Sequence, residues 1–179
     1  MKIIKSSLFV FGLAMLMYSC TNCESQKNVP ISQPSENEIR EQLINANRSR
    51  VDVESDRIDG YVKRRKWDMQ KSGTGLRYII YRKGNGPLVK EGNLVKVNFE
   101  VSLINGDICY SSDSTGADQF QVGMDHVETG LHEAMLLMNK GAKAKFILPS
   151  HLAHGLLGDE NKIPSNATVI YDIELLDFK

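Results

Sequence analysis

Three cysteines in 179 residues are too few to frame a fold with disulfides. No apolar stretch approaches the roughly 20 residues that a membrane-spanning helix needs. Charge of one sign is also missing: 22 basic and 22 acidic side chains give a formal net charge of zero. That balance excludes nucleic acid, or an anionic membrane surface, as the main partner, because both select an excess of basic charge. There is no Gly-x-Ser-x-Gly elbow. Gly73-x-Gly75 and Gly84-x-Gly86 lack the rest of any phosphate-binding pattern and read as turns. No internal repeat is visible. The remaining composition, 41% hydrophobic and 25% charged, is that of an ordinary globular protein of about one domain with an extension.

The first residues are a processing signal rather than part of the fold. Lys2 and Lys5 precede an apolar run of 11 residues from Leu8 to Tyr18, followed by Ser19 and Cys20. The order resembles the lipobox of bacterial lipoproteins, with Met17 and Tyr18 looser than the usual pattern. It points to removal of residues 1–19 and lipidation of Cys20, a multi-chain anchor being far firmer than a single one. The alternative is a plain secretory signal with an incidental cysteine. Thr21, where an aspartate would retain the chain under the sorting rule of enteric bacteria, points to the outer rather than the inner membrane, facing the periplasm.

Residues 20–34 are polar, contain Pro30 and Pro34, and read as a flexible tether. Ser35 and Glu38 form a capping-box pattern. Ile39, Leu43 and Ala46 then follow at helical spacing, so one or two largely solvated helices are expected over 36–71, within a helical extension 35–72. The apolar stripe is thin, which favours a monomer. Lys63-Arg64-Arg65-Lys66 is a solvated helix face beside a docking Trp67 rather than a phosphate patch.

Beyond Gly75 the period changes to two. Alternation predicts strands at Leu76–Tyr81, Val95–Leu103, Ile108–Ser112, Phe120–Val122, Ala144–Leu148 and Val169–Leu175, with a turn at Gly84–Pro87 and a type I′ hairpin at Asn105-Gly106. Leu131, Met135 and Met138 mark one helix over 128–139, with Gly141 at its C-cap. A long loop is expected over 150–166. Such strands with one-sided burial and a single helix make an α+β fold, an antiparallel sheet wrapped over one central helix in a domain spanning 73–179.

Few constellations could carry chemistry. His151 and His154 are three apart, near Asp159 and Glu160, with His126 and His132 elsewhere, which is short of the ligand set that zinc requires. Cys109 lies in a strand far from any histidine and reads as a small core residue. Its pairing with Cys23 cannot be read from spacing. The pattern predicts neither a metal nor a cofactor. A concave apolar sheet facing one helix and rimmed by a long loop describes a groove for an apolar ligand, peptide above all.

From about Leu76 to Lys179 the chain resembles the FKBP-type prolyl isomerase family. The matching order is Val97-x-Phe99, Asn105-Gly106, Ser111-Ser112, Phe120-x-Val122-Gly123, Val127, the helix through Leu131, Ala144-Lys145-Phe146, Gly155-x-x-Gly158, Ile163-Pro164, Ala167-Thr168 and Tyr171-Asp172-Ile173-Glu174-Leu175-Leu176. With its lipobox and charged N-terminal helix, it looks most like lipid-anchored FKBPs of the gliding-motility-associated type. The resemblance implies cis–trans isomerisation of X-Pro bonds in proline-containing polypeptide clients, as a folding assistant for exported proteins in the cell envelope. Carried over, the pocket walls are Phe99, Cys109, Val127, Leu131 and Tyr171, with Tyr110 where the family has an aspartate. The backbone N–H of Glu128 takes the substrate carbonyl, and His154 stands where a substrate-binding tyrosine is usual. Leu131 replaces a tryptophan, Phe99 a tyrosine and Cys109 a phenylalanine. These changes leave open an alternative, a non-catalytic peptide- or partner-binding module of the same fold.

Overall fold

The computed structural model describes residues 34–179. Cys20, Cys23, the signal segment 1–19 and all of the tether before Pro34 lie outside the described residues. Ser35 and Glu38 form the capping box: Ser35 N–H donates to Glu38 Oε2 at 2.7 Å, and Glu38 N–H to Ser35 Oγ at 3.3 Å. Helix α1 runs over Glu36–Arg65 without a break at Gly60. It stops in a Schellman motif. Lys66 takes φ 57°, its N–H returns to Lys63 O at 3.1 Å, and Trp67 N–H returns to Val62 O at 3.2 Å. The helix therefore ends earlier than the charged pattern suggests. Strand β1 (Gln70–Lys71), expected as helix, instead pairs with β2 (Arg77–Arg82).

The remaining strands are β3 (Asn85–Leu88), β4 (Leu94–Leu103), β5 (Ile108–Ser111), β6 (Asp118–Gln121), β7 (Asn139–Lys140), β8 (Lys143–Leu148) and β9 (Val169–Phe178). Two helices accompany them, the single turn α2 (Ser112–Thr115) and the central α3 (Thr129–Leu136). The main sheet is antiparallel in the order β1-β2-β8-β9-β4-β5, with β6 pairing β4 beyond the end of β5. The segment Gly84–Pro87, expected as a turn, enters a separate two-stranded ladder of β3 with β7. Gly84 permits this because a Cβ there would lie 2.3 Å from Lys140 O. The Asn105-Gly106 hairpin forms, but not as type I′. Only Gly106 has positive φ (100°), and Leu103 N–H pairs with Asp107 O at 2.9 Å across a three-residue loop. Gly141 does not cap α3, which ends at Leu136; it turns β7 into β8 at φ 82°.

The strict alternation of β4 and β9 puts Val95, Val97, Val101, Val169, Tyr171, Ile173 and Leu175 on one face, with Ala144, Phe146 and Leu148 of β8 beside them. Leu131, Ala134 and Met135 of α3 pack against that face. The approach is close at Gly130, where a Cβ would lie 2.8 Å from Leu148 Cγ. The opposite face is not solvated throughout, which corrects the expectation of one-sided burial. Ile147 and Ile170 are covered by Ile58 and Tyr61 of α1, with Val62, Trp67, Met69 and Ile104 around them. Trp67 meets Tyr61 edge-on at 5.7 Å, and Arg65 stacks over both rings. Arg77, placed by alternation on a solvent face, is only 2% exposed. Its guanidinium is held by Asp59 Oδ1 at 2.7 Å, Ser55 Oγ at 2.7 Å and Gly75 O at 2.5 Å.

Candidate functional site

A cavity of about 230 Å³ opens between the concave sheet face, the start of α3 and the loop after the 3₁₀ turn Ser150–Leu152. Strand β4 contributes Val97, Phe99 and Val101, and β9 contributes Tyr171 and Ile173. Tyr171 is set opposite Val101, and Phe99 opposite Ile173, by the antiparallel register. Leu131 comes from α3, Val127 and Glu128 from the segment before it, Tyr110 from β5 and His154 from the loop. Thr115, Asp118 and Phe120 complete the wall.

Seven of the eight residues singled out from the sequence thus line one cavity: Phe99, Tyr110, Val127, Glu128, Leu131, His154 and Tyr171. Cys109 does not. It is 4% exposed in the core, with its thiol 3.7 Å from Lys162 O. The β4–β5 register shifts here, Val101 pairing Tyr110 and Ser102 pairing Ile108, so Cys109 is the extra, unpaired residue of a bulge and packs into the core beside the cavity rather than lining it. Burial pushes the Cys109 thiol up from its ordinary range, with the Asp159 charge adding to the effect.

The polar part of the site is organised around Glu128. Its Oε1 accepts from the Tyr171 hydroxyl at 2.7 Å and from His154 Nε2 at 2.8 Å. Burial, the carboxylate charge of Glu128 and the hydrogen bond to it all hold the Tyr171 hydroxyl far above its usual range, so it remains a donor. The Glu128 carbonyl starts the helix, accepting from Leu131 N–H at 2.9 Å and His132 N–H at 3.2 Å. Among the described residues, nothing accepts from the Glu128 backbone N–H. His151 and His154, three apart in sequence, do not act together: His151 Nε2 meets Thr74 O at 3.1 Å. Among the described residues there is no group of three potential metal ligands.

The loop that carries His154 is braced at several points. Asp159 accepts from the Tyr110 hydroxyl, from Asn161 N–H at 2.9 Å and from Ile163 N–H at 2.7 Å. Burial alone would raise the Asp159 carboxyl, but these donors together outweigh it and hold the pKa at about 2. Lys162 Nζ donates to Cys109 O at 2.8 Å and sits 5.1 Å over the Tyr110 ring. Gly158 closes the loop at φ 76°, where a Cβ would lie 2.2 Å from Ile163 O. From the helical extension, Glu54 reaches both stems of the loop. It accepts from Ser150 N–H (2.7 Å), Ser150 Oγ–H (2.8 Å) and Thr168 Oγ1–H (2.7 Å).

Sequence reasoning named Glu128 for its backbone and passed over its carboxylate. It read Val97, Val101 and Phe120 only as strand core and did not anticipate Glu54. The signal for Glu128 was available, since an acidic side chain beside Val127 and Thr129 at the mouth of an apolar groove needs a partner. The cavity offers aromatic and aliphatic walls, a free backbone donor and a fixed carboxylate. Among its lining residues no serine or cysteine nucleophile faces His154. Such a site binds and orients rather than attacks.

Comparison with known proteins gives the same frame. A probable FKBP-type peptidyl-prolyl cis-trans isomerase of Haemophilus influenzae is 36% identical over 62% of this chain and 45% of its own length. FkpA, an FKBP-type peptidyl-prolyl cis-trans isomerase of Escherichia coli, is 33% identical over 83% of this chain and 59% of its own. The match thus spans about half the length of these relatives. The crystal structure of Escherichia coli FkpA superposes with a TM-score of 0.62 at 29% identity, covering 83% of this chain and 75% of that one. That of AtFKBP13 gives 0.60 at 27% identity, covering 63% and 99%. Residues 86–176 match the family model for FKBP-type peptidyl-prolyl cis-trans isomerases, and the chain belongs to that family.

Proposed function

We propose that the protein catalyses cis–trans isomerisation of X-Pro bonds through the cavity bounded by Phe99, Leu131 and Tyr171. The observation that carries this reading is an apolar, aromatic-walled cavity with a backbone donor, Glu128 N–H, that has no acceptor among the described residues. Rotation about an amide faces a barrier of about 18–20 kcal/mol because it breaks resonance. No covalent step is needed. A dry wall that fits the twisted imide, with one hydrogen bond to a neighbouring carbonyl, favours the transition state over the planar ground state. In this reading Val127 and Leu131 hold the proline ring, and Tyr110 and His154 flank the chain. Cys109 serves packing.

The assay is isomerisation of X-Pro peptides by the purified protein, alongside Tyr171→Ala. The uncatalysed reaction takes tens to hundreds of seconds, so even weak acceleration is measurable. Acceleration reduced by about tenfold or more in a folded variant supports the reading, since tenfold corresponds to about 1.4 kcal/mol of lost transition-state stabilisation. A flat response from folded wild-type protein refutes it. The second reading, a non-catalytic peptide-binding module, is favoured by one observation: His154 is committed to Glu128 rather than free to meet a substrate.

The setting belongs to the same proposal. Lipidation at Cys20 would tether the protein to the envelope, periplasm-facing and outer membrane before inner, where it would assist the folding of exported proteins as a monomer. This setting most resembles the lipid-anchored FKBPs of the gliding-motility-associated type. Incorporation of labelled fatty acid that disappears in Cys20→Ala tests the anchor.

A further inference from the structure

The cavity is apolar in its walls but not in its charge. Its ionisable lining residues are Asp118, Glu128, Tyr110, Tyr171 and His154, and no lysine or arginine is among them. Glu128 is held inside, its side chain 13% exposed. Both of its protein donors converge on Oε1, and among the described residues Oε2 receives none. The carboxylate is therefore fixed in place with one oxygen still open. Around it stand the rings of Phe99, Tyr110, Phe120 and Tyr171. Carboxylates beside aromatic faces are the chemistry that recognises an ammonium or guanidinium group, through charge pairing and cation–π attraction. The rim already holds one such pair, since the Lys162 ammonium lies 5.1 Å from the centre of the Tyr110 ring.

We infer that this cavity selects X-Pro segments in which a residue flanking the proline is lysine or arginine, with Glu128 as the specificity-determining residue and Asp118 as the second charge. The inference rests on the peptide-binding reading of the site, and it concerns which peptides bind rather than whether they are isomerised. Uniform hydrophobic recognition would need no carboxylate here. An acidic flanking residue meets the Glu128 carboxylate, largely withdrawn from solvent, and a second like charge on the exposed Asp118, and is disfavoured.

The experiment measures binding and isomerisation separately. Fluorescein-labelled proline peptides carry Lys, Leu or Glu before or after the proline, and their affinities are read by anisotropy at low and high ionic strength. Isomerisation of the same peptides is followed in parallel. For at least one flanking position, the lysine peptide is expected to bind about tenfold tighter than the glutamate peptide at low salt, with the gap closing as salt screens it. In Glu128→Gln the gap falls to about twofold or less, the side-chain shape being kept while the charge is removed. If that variant fails to fold, Asp118→Asn and the salt dependence of the wild type carry the test. Leucine or glutamate peptides binding as tightly as lysine at both positions overturn the inference and leave isomerisation standing. Preferential binding of lysine peptides without turnover upholds the inference and overturns the isomerase reading. Binding of no peptide overturns both.

Discussion

Glu54 provides the sharpest test of how the helical extension supports the site. One carboxylate receives three hydrogen bonds from the two stems of the His154 loop, and those stems are nearly closed to solvent, with Ser150 7% and Thr168 5% exposed. Glu54→Ala leaves all three donors without their acceptor. A buried unsatisfied polar group costs about 1–3 kcal/mol, and water entering the vacated space recovers part of it. A net loss of about 3 kcal/mol follows, below the sum of three separate penalties because the donors share one acceptor. Glu54→Gln keeps one acceptor oxygen, and the Ser150 hydroxyl can turn to accept from the new amide, so the loss is about 1 kcal/mol. Urea unfolding of wild type and both variants measures this directly. A loss in Glu54→Ala below about 0.5 kcal/mol, the ordinary scatter of a surface substitution, would refute the reasoning. Peptide isomerisation is expected to weaken more in Glu54→Ala than in Glu54→Gln, since His154 rides on the released loop.

Ile58, fully buried against Ile147 and Ile170, should cost about 2–4 kcal/mol as Ile58→Ala, checked by the shift in the urea midpoint. Asp59→Asn should cost only about 1–2 kcal/mol in the same assay, because Asp59 is 52% exposed and Ser55 and Gly75 still hold Arg77. The Asp159 carboxyl, held at about 2 in the fold against 3.8 ordinarily, contributes stability above its unfolded pKa and loses it as pH falls from about 4 toward 2. Tyr110→Phe removes one of the donors responsible, so the stability gap between wild type and variant should narrow across that window in urea titrations. A gap that widens on acidification would contradict this. Cys109, buried with its thiol pKa raised, should resist alkylation at pH 8 in folded protein and react on unfolding, read by peptide mass mapping.

The parts of the fold that were legible in the sequence are those where one physical rule acts alone. Strands β4 and β9 each bury one face against α3, so period-two alternation located them within a few residues, and the Ser35–Glu38 box located the start of α1. Where two rules compete, the sequence pattern misled. Residues 66–71 continue the charged character of α1, but the backbone reverses at Lys66 through a motif whose apolar residue Val62 looks unremarkable in a row of charges, although Trp67 docks against Tyr61 as the sequence leads one to expect. Arg77 and Ile147 lie on a face that alternation assigns to solvent. They are buried only because α1 returns to cover it, a tertiary event with no local signature. Seven of the cavity residues were found through resemblance rather than periodicity, because a wall and a core position carry the same apolar pattern. Cys109 failed for the complementary reason. Alignment carries a residue's place in the strand, while the register shift between β4 and β5 sets Cys109 into the core beside the cavity.

The same contacts suggest why an extension and a cavity occur in one chain. The loop from Ala153 to Ala167 buries few apolar side chains, Ile163 chief among them, and exposes Leu156 and Leu157. A loop with so little core is held mainly by polar bonds, and those bonds form a connected series. Glu54 on α1 fixes the stems at Ser150 and Thr168; Asp159 fixes the middle to Tyr110 on β5; His154 reaches Glu128 at the head of α3; Glu128 in turn holds the Tyr171 hydroxyl on β9. Leu131, where the family resemblance leads one to expect a larger ring, contributes a smaller wall to the cavity. The Tyr171–Glu128–His154 bonds supply in direction what the smaller side chain gives up in shape. Because bonds to a charged acceptor are stronger than neutral ones, a single carboxylate can orient both a wall ring and the loop above it. Its second oxygen receives no donor among the described residues.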